Sequence, residues 1–226
     1  MRWVRSVAVM GLCALLCAGL TACSDENVET TTAAPSGGEG GNETPAGGGG
    51  SDGGSGPGKG PFAEGGEQAE PGTRIGAAGS ACELPVSFET AKKWTAESVD
   101  GDHEQGGLRL ACEVDAKPAG NIGYLRVWVG EKQEPGDALR RFVPGKKAEE
   151  VEYRSFKTGP KRAAETVYER VTTIDGEELD RKPVQAFAIP GAKGEVAVVE
   201  LGGMDAEEHE QIRPAYLLAR ATVKAR

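Results

Sequence analysis

Cys23 is the residue best placed for covalent chemistry. It directly follows an apolar run, Val7 to Leu20, that is closed by the small residues Thr21 and Ala22. A thiolate is the side-chain nucleophile that accepts a covalent group. Cys13 and Cys17 lie inside the apolar run, and Cys82 and Cys112 lie well beyond it. The later pair is read most simply as a disulfide, with two buried thiols or part of a zinc site as the alternatives. Zinc would need two more ligands, and the chain holds only two histidines. His103 stands between Asp102 and Glu104, the setting of a solvated imidazole. His209, in Glu207-Glu208-His209-Glu210, sits in an acidic stretch that suits a helix N-terminus. Gly-x-Ser-x-Gly, His-Glu-x-x-His, phosphate-loop and Cys-x-x-Cys motifs do not occur. We therefore expect no catalytic residue, no metal ligand and no cofactor. Alternation places Tyr124, Arg126 and Trp128 on one face of a strand. That face is either a binding patch or a surface covered by a helix, since aromatic residues serve both.

The segment that positions Cys23 has basic Arg2 and Arg5 first, then the apolar run, then Leu20-Thr21-Ala22-Cys23. This order resembles the lipobox of bacterial lipoproteins. The resemblance implies that diacylglycerol is attached to the Cys23 thiol and that the chain is cut just before it. It makes 1–22 a signal peptide, and Cys13 and Cys17 leave with it. A transmembrane helix fits less well, because spanning takes about 20 apolar residues and this run is shorter and ends in Ser24-Asp25-Glu26. An ordinary secretory signal also fits less well, because Leu20-Thr21-Ala22 is not a small-x-small cleavage site.

Residues 23–74 read as a disordered tether. Glycine and proline dominate, as in Gly47-Gly48-Gly49-Gly50 and Gly53-Gly54-Ser55-Gly56-Pro57-Gly58, and large apolar side chains are nearly confined to Val28 and Phe62. Such a stretch buries too little surface to offset its backbone entropy. At about 5–6 Å times the square root of its length, some 50 residues reach about 40 Å. Nine acids against Lys59 and Arg74 give Ser24 to Ile75 a charge of −7 within a chain of net charge −9. The glycine dilutes this charge, which serves solubility, and nothing points to nucleic acid as a partner.

Residues 75–226 form the globular part, long enough to bury roughly 70% of its unfolded surface. Period-two strands are expected at Leu84–Phe88, Thr95–Val99, Leu108–Val114, Ile122–Val129 and Val151–Lys157. Pro85 marks the first as an edge strand or a strand start. A bridge between Cys82 and Cys112 would tie that first strand to the third. Asp137 is the expected cap of a short helix that Pro144-Gly145 stops. Ala164–Thr173 and Pro183–Ile189 flank Asp175-Gly176, a two-residue hairpin turn, and Glu195–Leu201 closes an antiparallel meander. Asp205 with Glu208 reads as a capping box, while Pro214 predicts a kink or a later helix start. Strands grouped together with a closing helix give an α+β class, an antiparallel sheet packed with helices.

Leu84-Pro85-Val86-Ser87-Phe88 followed by Trp94, the Tyr168 to Ala188 hairpin, Val196–Leu201 and the terminal helix resemble the actinobacterial LpqN-type lipoproteins. Ala91-Lys92-Lys93-Trp94 departs from that family's Pro-x-Gly-Trp. The resemblance implies a PsbP-like α/β/α sandwich and a binding or assembly role without shared catalytic residues. The chain thus reads as a lipid-anchored, extracytoplasmic, non-catalytic module of the cell envelope. Its expected partners are membrane lipid through Cys23 and an envelope protein or cell-wall component. The alternative is an envelope hydrolase or a small-ligand-binding lipoprotein.

Overall fold

The computed structural model describes Phe62 and residues 66–226. Cys23, the segment 1–22 and most of the expected tether lie outside the described residues. Among the described residues eleven strands and two α-helices follow in chain order. They are β1 (Pro71–Ile75), β2 (Val86–Ala91), β3 (Thr95–Ser98), β4 (Glu104–Gln105), β5 (Leu108–Asp115), β6 (Tyr124–Gly130), α1 (Pro135–Phe142), β7 (Ala148–Thr158), β8 (Lys161–Ile174), β9 (Glu177–Pro190), β10 (Val196–Gly202), α2 (Ala206–Thr222) and β11 (Lys224–Ala225).

The strands form two sheets. A small sheet has the order β1-β2-β11. A large one runs β3-β5-β6-β10-β9-β8-β7, with β4 added along β5. All pairings of named strands are antiparallel; β8 to β10 form the expected meander, and β7 extends it. Asp175 (φ 52°) and Gly176 (φ 86°) make the β8–β9 turn, the two positive values that a twisted hairpin requires.

Apolar side chains on one face of the large sheet (Val114, Leu125, Val127, Phe187, Val199, Leu201) pack with Ile212, Tyr216 and Ala219 of α2 and with Val86 and Phe88 of β2. The other face packs Leu110, Trp128, Ala186, Ala188 and Val198 against Ala138, Leu139 and Phe142 of α1. The α+β class and the helix-covered antiparallel sheet are therefore as expected.

The expected bridge between the first strand and the third is present, and three other local expectations are corrected. Cys82 precedes β2 of the small sheet and Cys112 lies on β5 of the large one, and their disulfide (Cα–Cα 5.9 Å) joins the two sheets.

The folded unit begins before Ile75. Ala69 donates to the Pro214 carbonyl (3.0 Å), Lys92 donates to the Glu70 carbonyl (2.8 Å), and β1 opens at Pro71. Phe62 lies under the Arg154 guanidinium at 4.6 Å. These contacts with β2, β7 and α2 are tertiary, so the glycine-rich composition of the segment does not announce them.

Helix α1 starts at Glu134-Pro135, not at Asp137. Proline is favoured at the first helical position because its missing N–H would have no intrahelical acceptor there. Asp137 instead pairs with Arg140 at 3.2 Å.

Helix α2 starts at Asp205 and continues through Pro214. The Asp205 carboxylate accepts from the Glu208 N–H at 2.9 Å, and the Glu208 carboxylate accepts from the Met204 N–H at 3.0 Å. Burial of Ile212, Ala215, Tyr216 and Ala219 outweighs the one hydrogen bond that proline removes.

Candidate functional site

Helix α1 is only eight residues long and lies over β8, β9 and β10, so it covers part of its sheet face. Cross-strand register fills the rest with polar groups in rows. Tyr124 is opposite Gly202, and Gly202 is opposite Val184, beside Tyr168. Arg126 is opposite Glu200, and Trp128 is opposite Val198. Gly202 is required in the first row, because a Cβ there would meet the Tyr124 ring at 2.5 Å.

Glu200 is the centre of this cluster and is only 1% exposed. Trp128 Nε1 donates to its Oε2 at 3.0 Å, and Arg170 donates to its Oε1 at 2.7 Å and to the Tyr168 hydroxyl at 2.8 Å. Burial works against the Arg170 charge, but Glu200 and Tyr168 together outweigh it and hold the guanidinium protonated. Burial also raises the Tyr168 and Tyr124 hydroxyls above the usual phenol range. Arg126 stacks on the Tyr124 ring at 3.9 Å and donates to Glu113 at 2.7 Å.

The three residues of the expected face therefore divide. Trp128 is 7% exposed and meets Phe142 edge to face at 5.5 Å, so it belongs to the core beneath α1. Tyr124 and Arg126 are half-buried and remain open to solvent. Beside them a groove of about 470 Å³ is lined by Asp100, His103, Glu113, Arg126 and the edges of Leu110 and Trp128. His103, read as solvated, stands at its rim, exposed. The groove offers one guanidinium, carboxylates and an apolar floor, a set that can orient a small polar ligand by hydrogen bonds. Among the described residues no group of three His, Cys, Asp or Glu side chains is placed to hold a metal ion.

A second buried carboxylate lies on the opposite face. Glu165, 2% exposed, accepts from the Tyr216 hydroxyl at 2.8 Å, Arg220 Nε at 3.1 Å and Arg154 at 2.7 Å. Neither Glu165 nor Glu200 stood out in the sequence. Each is a lone acid inside a mostly apolar stretch of strand, Ala163–Tyr168 and Val196–Gly202, and that was the available signal.

His209 differs from its sequence reading. The acids Glu207, Glu208 and Glu210 beside it are wholly or partly exposed, but His209 is 2% exposed and its Nδ1 has no hydrogen-bond partner. Burial, with a smaller contribution from Arg213, lowers it to about 4.

A family model described as "Uncharacterised lipoprotein" matches residues 54–223. No curated protein matches the chain. Among solved structures, cyanobacterial PsbP from Synechocystis sp. aligns with a TM-score of 0.46 at 10% identity, covering 74% of this chain and 100% of that one.

Proposed function

We propose a function from one premise: the chain belongs to the Lipoprotein_23 family of uncharacterised lipoproteins. In this reading Cys23 carries the lipid, and the domain is held on the outer face of the cell membrane by a glycine-rich tether. It binds an envelope protein or cell-wall component and performs no catalysis. Arg2, Arg5, the apolar run and Leu20-Thr21-Ala22-Cys23 support the anchor. The likeness of Leu84–Phe88, Trp94 and the Tyr168–Ala188 hairpin to LpqN-type lipoproteins supports a binding or assembly role.

One observation carries the non-catalytic half. Glu165 and Glu200, the two buried acids among the described residues, are both saturated by guanidinium and hydroxyl or indole donors. A general acid or base needs a proton site within reach of substrate, and these carboxylates spend theirs on internal partners. A second reading is favoured by the groove beside Arg126. Its volume of about 470 Å³ falls within the range of roughly 300–1,000 Å³ of small-molecule sites, which suits a small-ligand-binding lipoprotein.

Two acyl chains make anchoring stable, at about 0.8 kcal/mol per buried CH₂. Cells fed a clickable fatty acid should label the wild-type protein, and Cys23→Ala should move it from the membrane fraction to the soluble one. Unlabelled wild-type protein would refute the anchor. Turnover of peptidoglycan, ester or phosphate substrates, abolished by one carboxylate or histidine change, would refute the binding-only role.

A further inference from the structure

Three connections meet at one end of the large sheet, and each brings cations to the same cleft. The segment after β6 contributes Lys132, the start of β8 contributes Lys161 and Arg162, and the β9–β10 turn contributes Lys193. The cleft has a volume of about 650 Å³, and Glu134 is its one acidic lining residue. Among the described residues none of the four cationic side chains makes a hydrogen bond or an ion pair. Elsewhere Arg74, Lys92, Arg126, Arg170 and Arg181 each face a carboxylate. This concentration occurs in a protein of net charge −9, in which free cations could have been neutralised locally. Helix α1 opens at the cleft with Pro135, so the positive end of its dipole adds to the same field.

We propose that this cleft is an anion site for a phosphate or phosphodiester group. Three lysines supply mobile point charges, and Arg162 supplies the planar fork that pairs with two phosphate oxygens. Four cations held near one anion exceed what carboxylate recognition needs, which favours the more highly charged group. If the lipid anchor of the preceding section holds, the most abundant phosphate within reach of the tether is the headgroup of an anionic phospholipid. The cleft would then hold this end of the sheet towards the membrane. The phosphate chemistry itself stands without the anchor.

The test uses the intact lipoprotein in a neutral detergent. It is titrated calorimetrically with inorganic phosphate, with dihexanoyl-phosphatidylglycerol, and with zwitterionic dihexanoyl-phosphatidylcholine. The same titrations are run on the Lys161→Ala/Arg162→Ala variant and on Lys193→Glu. All four side chains are outside the two cores, so folding should be retained, which the unchanged melting temperature would verify. We expect phosphatidylglycerol and phosphate to bind and phosphatidylcholine not to bind. Affinity should fall at least tenfold in each variant and should weaken as salt is raised.

Binding of phosphate without phosphatidylglycerol would keep the anion site and overturn the lipid headgroup as its source. Absence of binding by either probe, or binding that the variants leave unchanged, would overturn the site. Acyl labelling at Cys23 is read separately, so failure here leaves the anchor standing.

Discussion

At the scale of single residues, burial has changed the meaning of two side chains. Trp128 fills the space beneath α1 and donates the hydrogen bond that satisfies Glu200 Oε2. Trp128→Ala should therefore cost about 3–5 kcal/mol, the usual loss for a large aromatic in a core. Urea denaturation would measure it, and a loss below about 1 kcal/mol would return Trp128 to the surface. His209 gives a pH dependence whose sign is fixed by its depressed value of about 4. Above the unfolded value of about 6.5 both states are neutral and the residue contributes nothing. Between about 6.5 and 4 the unfolded chain binds the proton and the folded chain does not, so stability falls as pH falls. At about 1.4 kcal/mol per unit the loss approaches roughly 3 kcal/mol by pH 4. Melting curves over this window should slope for wild type and flatten for His209→Gln. A slope unchanged by the substitution would refute the assignment to this residue.

At the scale of elements, alternation was readable but its consequence in β5 was not. Leu108, Leu110, Cys112 and Val114 recur every second residue, which places all four on one face of a regular strand. The register instead shifts between Leu110 and Cys112, where Leu110 faces Trp128 and Cys112 faces Val127. One extra residue, Ala111, turns the strand over. Leu108 and Leu110 therefore pack under α1, while Cys112 and Val114 enter the core beneath α2. The bulge is also what brings the Cys112 thiol to the face where the small sheet lies. The disulfide closes a loop with a sequence separation of 30 residues, worth about 2–4 kcal/mol by chain entropy. Cys82→Ser/Cys112→Ser should lose that much. Amide exchange should quicken in β1, β2 and β11 more than in β8 and β9, because the small sheet is clipped to the large one there. Equal loss of protection in both sheets would contradict the view that the bridge joins separable units.

At the scale of the whole molecule, the sequence by itself determined the class of the protein. Period-two runs, the Asp175-Gly176 turn and the Asp205–Glu208 capping box are local signals, and local signals survive without knowledge of neighbours. They placed most of the strands of the large sheet and the capping box of α2. The run ending at Leu20-Thr21-Ala22-Cys23 is local as well, and the lipid anchor it implies remains part of the proposal. The tertiary structure decided everything that depends on which surfaces meet. It divided the strands into two sheets, drew Gly66 to Arg74 onto the fold through β1 and α2, and buried His209. It also gathered Lys132, Lys161, Arg162 and Lys193 from three connections into one cleft, although 61 positions separate the first from the last. Composition and periodicity report on a residue and its chain neighbours, whereas burial, ion pairing and cleft electrostatics are properties of groups brought together across the chain.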